Sequence, residues 1–145
     1  MPTILGPKYG TDWRGKPPHM LAPDIPVWYR FLKEWGPHFV ALYYDCLLGG
    51  PAMVTDENKD PMQRMWRALT SKRADAIAEL EDEVWLIEVA AYPGMRALGQ
   101  LLTYHTLWTN DPKIDKPVIM VLVADQIDPD VRLSYTPYGV QLHLF

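Results

Sequence analysis

Residues 72–91 read KRADAIAELEDEVWLIEVAA, and how they fold decides the architecture. Lys72 to Leu80 and Val84 to Ala91 read as two strands joined by the acidic turn Glu81, Asp82 and Glu83, which makes an antiparallel hairpin. Asp75 has alanine on both sides, and Glu88 lies between Ile87 and Val89. A carboxylate in a sheet with apolar neighbours is costly unless it is paired, protonated or bound to a cation. The strand period of two puts Arg73, Asp75 and Ile77 on one face, and Leu86, Glu88 and Ala90 on one face of the partner strand. Where those faces coincide, two carboxyl groups meet at the sheet.

Downstream of the hairpin, Pro93 and Gly94 end the second strand, and a helix is expected from about Met95 to Trp108, closed by Asn110, Asp111 and Pro112. Pro117 precedes VIMVLVA (118–124), a continuous apolar run suited to the middle of a sheet covered on both faces. A turn-rich stretch, DQIDPDVRLSYTPYG, leads to a last strand in which Val140, Leu142 and Leu144 alternate with Gln141 and His143.

Upstream the pattern is helical. Asp24 is the expected N-cap of a first helix with Val27, Trp28, Phe31, Leu32 and Trp35 on one face, broken by Gly36 and Pro37. Phe39, Leu42, Tyr43, Cys46 and Leu47 follow at helical spacing and predict a second helix that stops at Gly49, Gly50 and Pro51. Pro61 opens a third, with Met62, Met65, Trp66 and Leu69 on its apolar side. Residues 1–23 carry Pro, Gly and scattered aromatics with no period and read as a Pro-rich extended arm. Tyr9, Trp13 and Met20 are apolar anchors that a free tail would not need, so the arm lies on its own domain or on a partner. The expected organisation is an arm over 1–23 and a single α/β domain over 24–145, a mixed central sheet flanked by helices.

Composition narrows the function. The chain has 145 residues, 48% of them apolar and 22% charged, as in one ordinary globular domain. No apolar run approaches the roughly 18 residues of a membrane span, and the N-terminus lacks the apolar core of a signal peptide. Cys46 is the single cysteine, so no internal disulfide forms, and cytoplasmic or intracellular residence is expected. The net charge is −4, whereas nucleic-acid binders usually carry a basic field. Fourteen prolines are about 10% of the chain, twice the usual share of about 5%, and six lie in the first 26 positions.

At the hairpin the chain resembles the PD-(D/E)XK nuclease superfamily, the restriction-endonuclease-like fold. The match spans about Met62 to Ala124. It rests on the helix before the hairpin, Asp75 in KRADAIA, Glu88 in WLIEVA, the helix carrying GQLLTYHTLW, and the apolar strand after it. The resemblance implies that Asp75 and Glu88 bind Mg²⁺, a hard cation that prefers oxygen ligands. In the family the cation and a lysine two residues after the glutamate activate water for attack on a phosphodiester. Gln100 and Tyr104 look like the glutamine and tyrosine often found on the following helix, although such residues are more often a helix surface and a packing tyrosine than site residues.

The chain departs from the family where the lysine should stand, because position 90 is alanine. Alanine can neither orient water nor stabilise developing negative charge. Arg73, Lys72 and Arg96 are candidate substitutes, and Arg73 is preferred because it shares a face with Asp75. The same nearness lets Arg73 pair with Asp75 or Glu88 and neutralise a former metal site. The reading ranked first is a nuclease-fold module that has lost catalysis and serves in binding or assembly, through the arm and the aromatic helices, as a structural component of a phage particle or mobile element. Its partners would then be proteins or a second copy of the chain, with DNA contact retained as an option and no membrane. The runner-up is a Mg²⁺-dependent deoxyribonuclease with a migrated cation.

Other chemistries find little support. His19, His38 and His143 show no metal-ligand spacing with one another or with Cys46. Gly49 and Gly50 end an element and do not build a phosphate loop. Neither Ser71 nor Ser134 lies in a nucleophile elbow. The tryptophans and tyrosines, lacking interleaved basic residues, read as core and protein interface before base-stacking platforms.

Overall fold

The computed structural model describes residues 3–49, 61–62 and 72–145. Five strands, β1 (Ala41–Leu48), β2 (Lys72–Glu79), β3 (Val84–Val89), β4 (Val118–Ala124) and β5 (Gln141–Leu144), form one sheet in sequential order. The first three run antiparallel, while β3, β4 and β5 are mutually parallel. Parallel neighbours need crossovers, and α2 (Met95–Asn110) and α3 (Pro129–Tyr135) occupy the two connections. With α1 (Ile25–Trp35) these make a small α/β domain with a mixed sheet.

The helices cover both faces. Val27, Trp28, Phe31 and Leu32 of α1 pack with Leu42, Tyr44, Ala76, Ile87 and Val121. On the other face Tyr104 and Trp108 of α2 meet Ala41, Tyr43, Ile77 and Leu86, and Leu98 and Leu101 meet Leu122 and Tyr135. Trp28 is fully buried, and its indole N–H donates to the Tyr44 hydroxyl at 2.8 Å, which satisfies both polar groups inside the core. The aromatic residues Trp28, Phe31, Trp85 and Trp108 are therefore core side chains.

The hairpin, α2 and the apolar strand β4 stand where the sequence puts them. The second expected helix does not: Ala41–Leu48 is strand β1. Its apolar positions fit a helical stripe, but Ala41, Leu42, Tyr43, Tyr44, Cys46 and Leu48 are all buried. A strand covered on both faces produces the same short apolar run as a buried helix. The stretch read as turns after β4 contains α3, whose N-cap Asp128 accepts from the backbone N–H groups of Asp130 and Val131. Of the third expected helix, Pro61 and Met62 are helical, and Met65, Trp66 and Leu69 lie outside the described residues.

Asp45 interrupts β1 with φ +52. Up to Tyr44 the even-numbered residues face α1; beyond Asp45, Cys46 and Leu48 face α2. The left-handed residue rotates the chain and reverses the alternation of side chains.

The arm lies on this edge strand. Ile4 exchanges backbone hydrogen bonds with Leu47 at 2.9 and 3.1 Å, and the Tyr9 N–H donates to Leu42 O at 2.8 Å. Thr3 N–H donates to the Asp111 carboxylate at the end of α2. Tyr9 and Trp13 form a ring cluster with Tyr44, and Met20 is buried in the α1-side core. All three anchors are thus used within the chain's own domain, where they cover an otherwise open sheet edge. Among the described residues no helix is long and apolar enough to cross a membrane.

Candidate functional site

The β2–β3 register pairs Ala76 with Ile87, and one step further it brings Asp75 opposite Glu88. Asp75 Oδ2 accepts from the Val89 N–H at 2.8 Å. Two neighbouring carboxyl groups do not both ionise readily, so one of them tends to keep its proton. Glu88 is that group: burial first, then the hydrogen bond and charge of Asp75, hold its pKa far above the usual carboxylate range. The charge of Asp24 pushes the same way, and Arg96 opposes it.

Asp24 is a site residue that the sequence reading placed only as a cap. It precedes α1 but makes no side-chain capping bond. Its Oδ1 instead accepts from the Ala91 N–H at 2.8 Å, just beyond β3. Burial raises its pKa, the Ala91 hydrogen bond lowers it, and the charge of Asp75 raises it again.

Asp24, Asp75 and Glu88 open on one cavity of about 240 Å³. Ala90, where the resemblance would put a lysine, lines it too. Arg96 and Gln100 of α2 form the opposite wall, and His19 and Leu21 of the arm complete the rim. Arg96 and Gln100 also line an adjoining hollow with Lys72, Gly99, Thr103 and Tyr104. Two cationic side chains therefore border a groove that leads from the carboxyl groups. Tyr104 is buried beneath it, and burial followed by the charges of Glu88 and Asp75 raises its pKa.

Arg73, the preferred substitute for the lysine, points elsewhere. Its Nη1 lies 2.6 Å from Asp45 Oδ2, and Arg73 is not among the residues that line the cavity. It closes no ion pair with Asp75 or Glu88, so the carboxyl pair stays open to the cavity. Asp45 Oδ2 also meets His19 Nδ1 at 2.7 Å. The sequence signal for Asp45 was present, since it is a carboxylate between Tyr44 and Cys46, the same context that singled out Asp75 and Glu88.

The donor chemistry fits a hard divalent cation, because Asp75 and Glu88 offer oxygen atoms to the cavity and, among the described residues, neither forms a salt bridge. Among the described residues no group of three or more His, Cys, Asp or Glu side chains is placed to hold a metal ion. Mg²⁺ needs fewer, since it is usually held by one or two carboxylates and keeps several waters.

Comparison with family models, curated proteins and solved structures finds no match for this chain.

Proposed function

We propose that the cavity is a cation-assisted phosphodiesterase site acting on a polynucleotide, in a domain that resembles PD-(D/E)XK nucleases. The observation that carries this reading is the open carboxyl pair. Asp75 and Glu88 both line the cavity and, among the described residues, neither forms a salt bridge, and Glu88 favours a proton that a bound cation would displace. Asp75 and Glu88 would hold Mg²⁺, and Asp24 would add a third negative charge nearby. Such a cation lowers the pKa of a bound water and stabilises charge on the phosphoryl oxygens. Arg96 and Lys72 supply positive charge along the groove, where a polynucleotide backbone would lie. The overall charge of −4 counts against broad affinity for nucleic acid, but one scissile phosphate needs only local positive charge.

Ala90 favours a second reading, a module that keeps the fold and binds a partner without hydrolysis. Purified protein incubated with plasmid and single-stranded DNA in Mg²⁺ or Mn²⁺ separates the two. Cleavage abolished by Asp75→Ala and by Glu88→Ala supports the phosphodiesterase. No cleavage with either metal, together with no divalent-cation binding by calorimetry, leaves the binding module.

A further inference from the structure

We propose that His19, oriented by Asp45 and Arg73, is the general base of this cavity; the inference rests on the phosphodiesterase reading. The chain lacks a cationic or basic group at position 90, yet the arm brings an imidazole to the rim of the same cavity as Asp24, Asp75 and Glu88. The neighbouring anchor Met20 is buried, which fixes the arm at this point.

The hydrogen bonds define which ring nitrogen donates. His19 Nδ1 lies 2.7 Å from Asp45 Oδ2, and the same oxygen receives Arg73 Nη1 at 2.6 Å. A carboxylate only accepts, so Nδ1 is the donor, and in the neutral form of the ring the lone pair lies on Nε2. The His19 side chain is 70% exposed, so water reaches Nε2, whereas Asp45 is largely buried.

Backbone conformation gives an independent observation. Among the described residues His19 (φ +61) and Asp45 (φ +52) are the non-glycine residues with positive φ, and they are bonded to each other. Non-glycine residues held in this region cluster at functional sites. The titratable and charged groups that line the cavity with the ring or pair with its partner are Asp24 before α1, Asp45 of β1, Arg73 and Asp75 of β2, Glu88 of β3 and Arg96 of α2.

In the reaction, Nε2 takes a proton from a water whose oxygen forms a bond to phosphorus. The bond from phosphorus to the leaving sugar oxygen breaks, and that oxygen keeps the electron pair and takes a proton from solvent. The imidazolium returns its proton to solvent. One phosphodiester and one water become a phosphomonoester and an alcohol, with no change of oxidation state.

The test uses the full chain with plasmid DNA and Mg²⁺ or Mn²⁺ from about pH 5 to about pH 9, together with ¹⁵N imidazole spectra recorded without added metal. His19→Asn and His19→Gly both suit the left-handed backbone, so they are expected to fold. The expected result is a kcat about a hundredfold lower in both variants with little change in KM, and partial rescue of His19→Gly by added imidazole. The spectra should show a hydrogen on Nδ1 in the parent chain and lose that preference in Asp45→Asn. Three results would overturn the inference. If the variants stay within about threefold of the parent while Glu88→Ala abolishes cleavage, His19 is not the base and the site reading stands. If the parent does not cleave, both fall. If the neutral ring carries its hydrogen on Nε2, the inference falls whatever the activity.

Discussion

Oδ1 of Asp24 lies 2.8 Å from the backbone nitrogen of Ala91, and this bond ties the start of α1 to the end of β3 across the rim of the cavity. The two residues are 67 positions apart, so the bond is tertiary and replaces the local capping that an aspartate before a helix normally provides. It also holds a third carboxyl group near Asp75 despite the burial and, secondarily, the charge of Asp75 that raise the pKa of Asp24.

Asp24→Ala leaves the buried Ala91 N–H without its acceptor and is expected to lower stability by about 1–3 kcal/mol in urea denaturation. Asp24→Asn keeps an acceptor and removes the charge, so it should cost less. Equal losses in the two variants would show that the hydrogen bond contributes little.

Glu88 makes stability depend on pH. Its native pKa is raised, so the native state holds a proton that the unfolded chain releases. Stability is then fullest below the unfolded glutamate pKa of about 4.3 and falls as pH rises from there toward the native value, by about 1 kcal/mol per pH unit for one proton. Asp24 adds to the same trend. Guanidinium midpoints measured from mildly acid to mildly alkaline pH should decline for the parent chain and flatten for Glu88→Gln. A parallel decline in that variant would assign the effect elsewhere.

Ala90→Lys would place an ammonium group at a position that already lines the cavity. It should favour ionised Glu88 and flatten the alkaline decline in stability, because an opposite charge within a few ångströms lowers a carboxyl pKa. A midpoint that still falls as steeply as in the parent would mean that the new side chain turns away from the carboxyl pair.

Removal of residues 1–23 takes Met20 out of the core and uncovers the edge of β1. Burial of a methionine alone contributes about 1.5–3 kcal/mol, so the thermal midpoint should drop. Light scattering should also show concentration-dependent association through the open strand edge. A truncated chain that melts like the parent and stays monodisperse would mark the arm as dispensable to the fold.

The hairpin was legible because its strands alternate around two unusual carboxylates and its turn is acidic, a pattern that few other structures satisfy. The α2 helix had clear boundaries in Pro93, Gly94 and Asn110. By contrast, the run FVALYYDCLL has apolar residues wherever either a helix or a doubly covered strand would want them, and only α1 and α2 on opposite faces decide between the two. The α3 helix was short enough to resemble a turn, although Asp128 followed by Pro129 carried a cap signal. In the site, Asp75 and Glu88 were readable because their strands are adjacent in sequence. Asp24 and His19 were not, since their partners are brought together only by the arm and the sheet, and Asp45 carried the same signal as Asp75 inside a stretch read as a helix.

The paired left-handed residues have a consequence for anyone improving this chain. Glycine at positions 19 and 45 would relax both backbones at once. It would also remove the imidazole from the rim and the carboxylate that clamps it. A library sorted only for heat resistance would weigh that relief against the lost Asp45–Arg73 pair, whereas under the proposed role of His19 a selection for cleavage would keep histidine and aspartate.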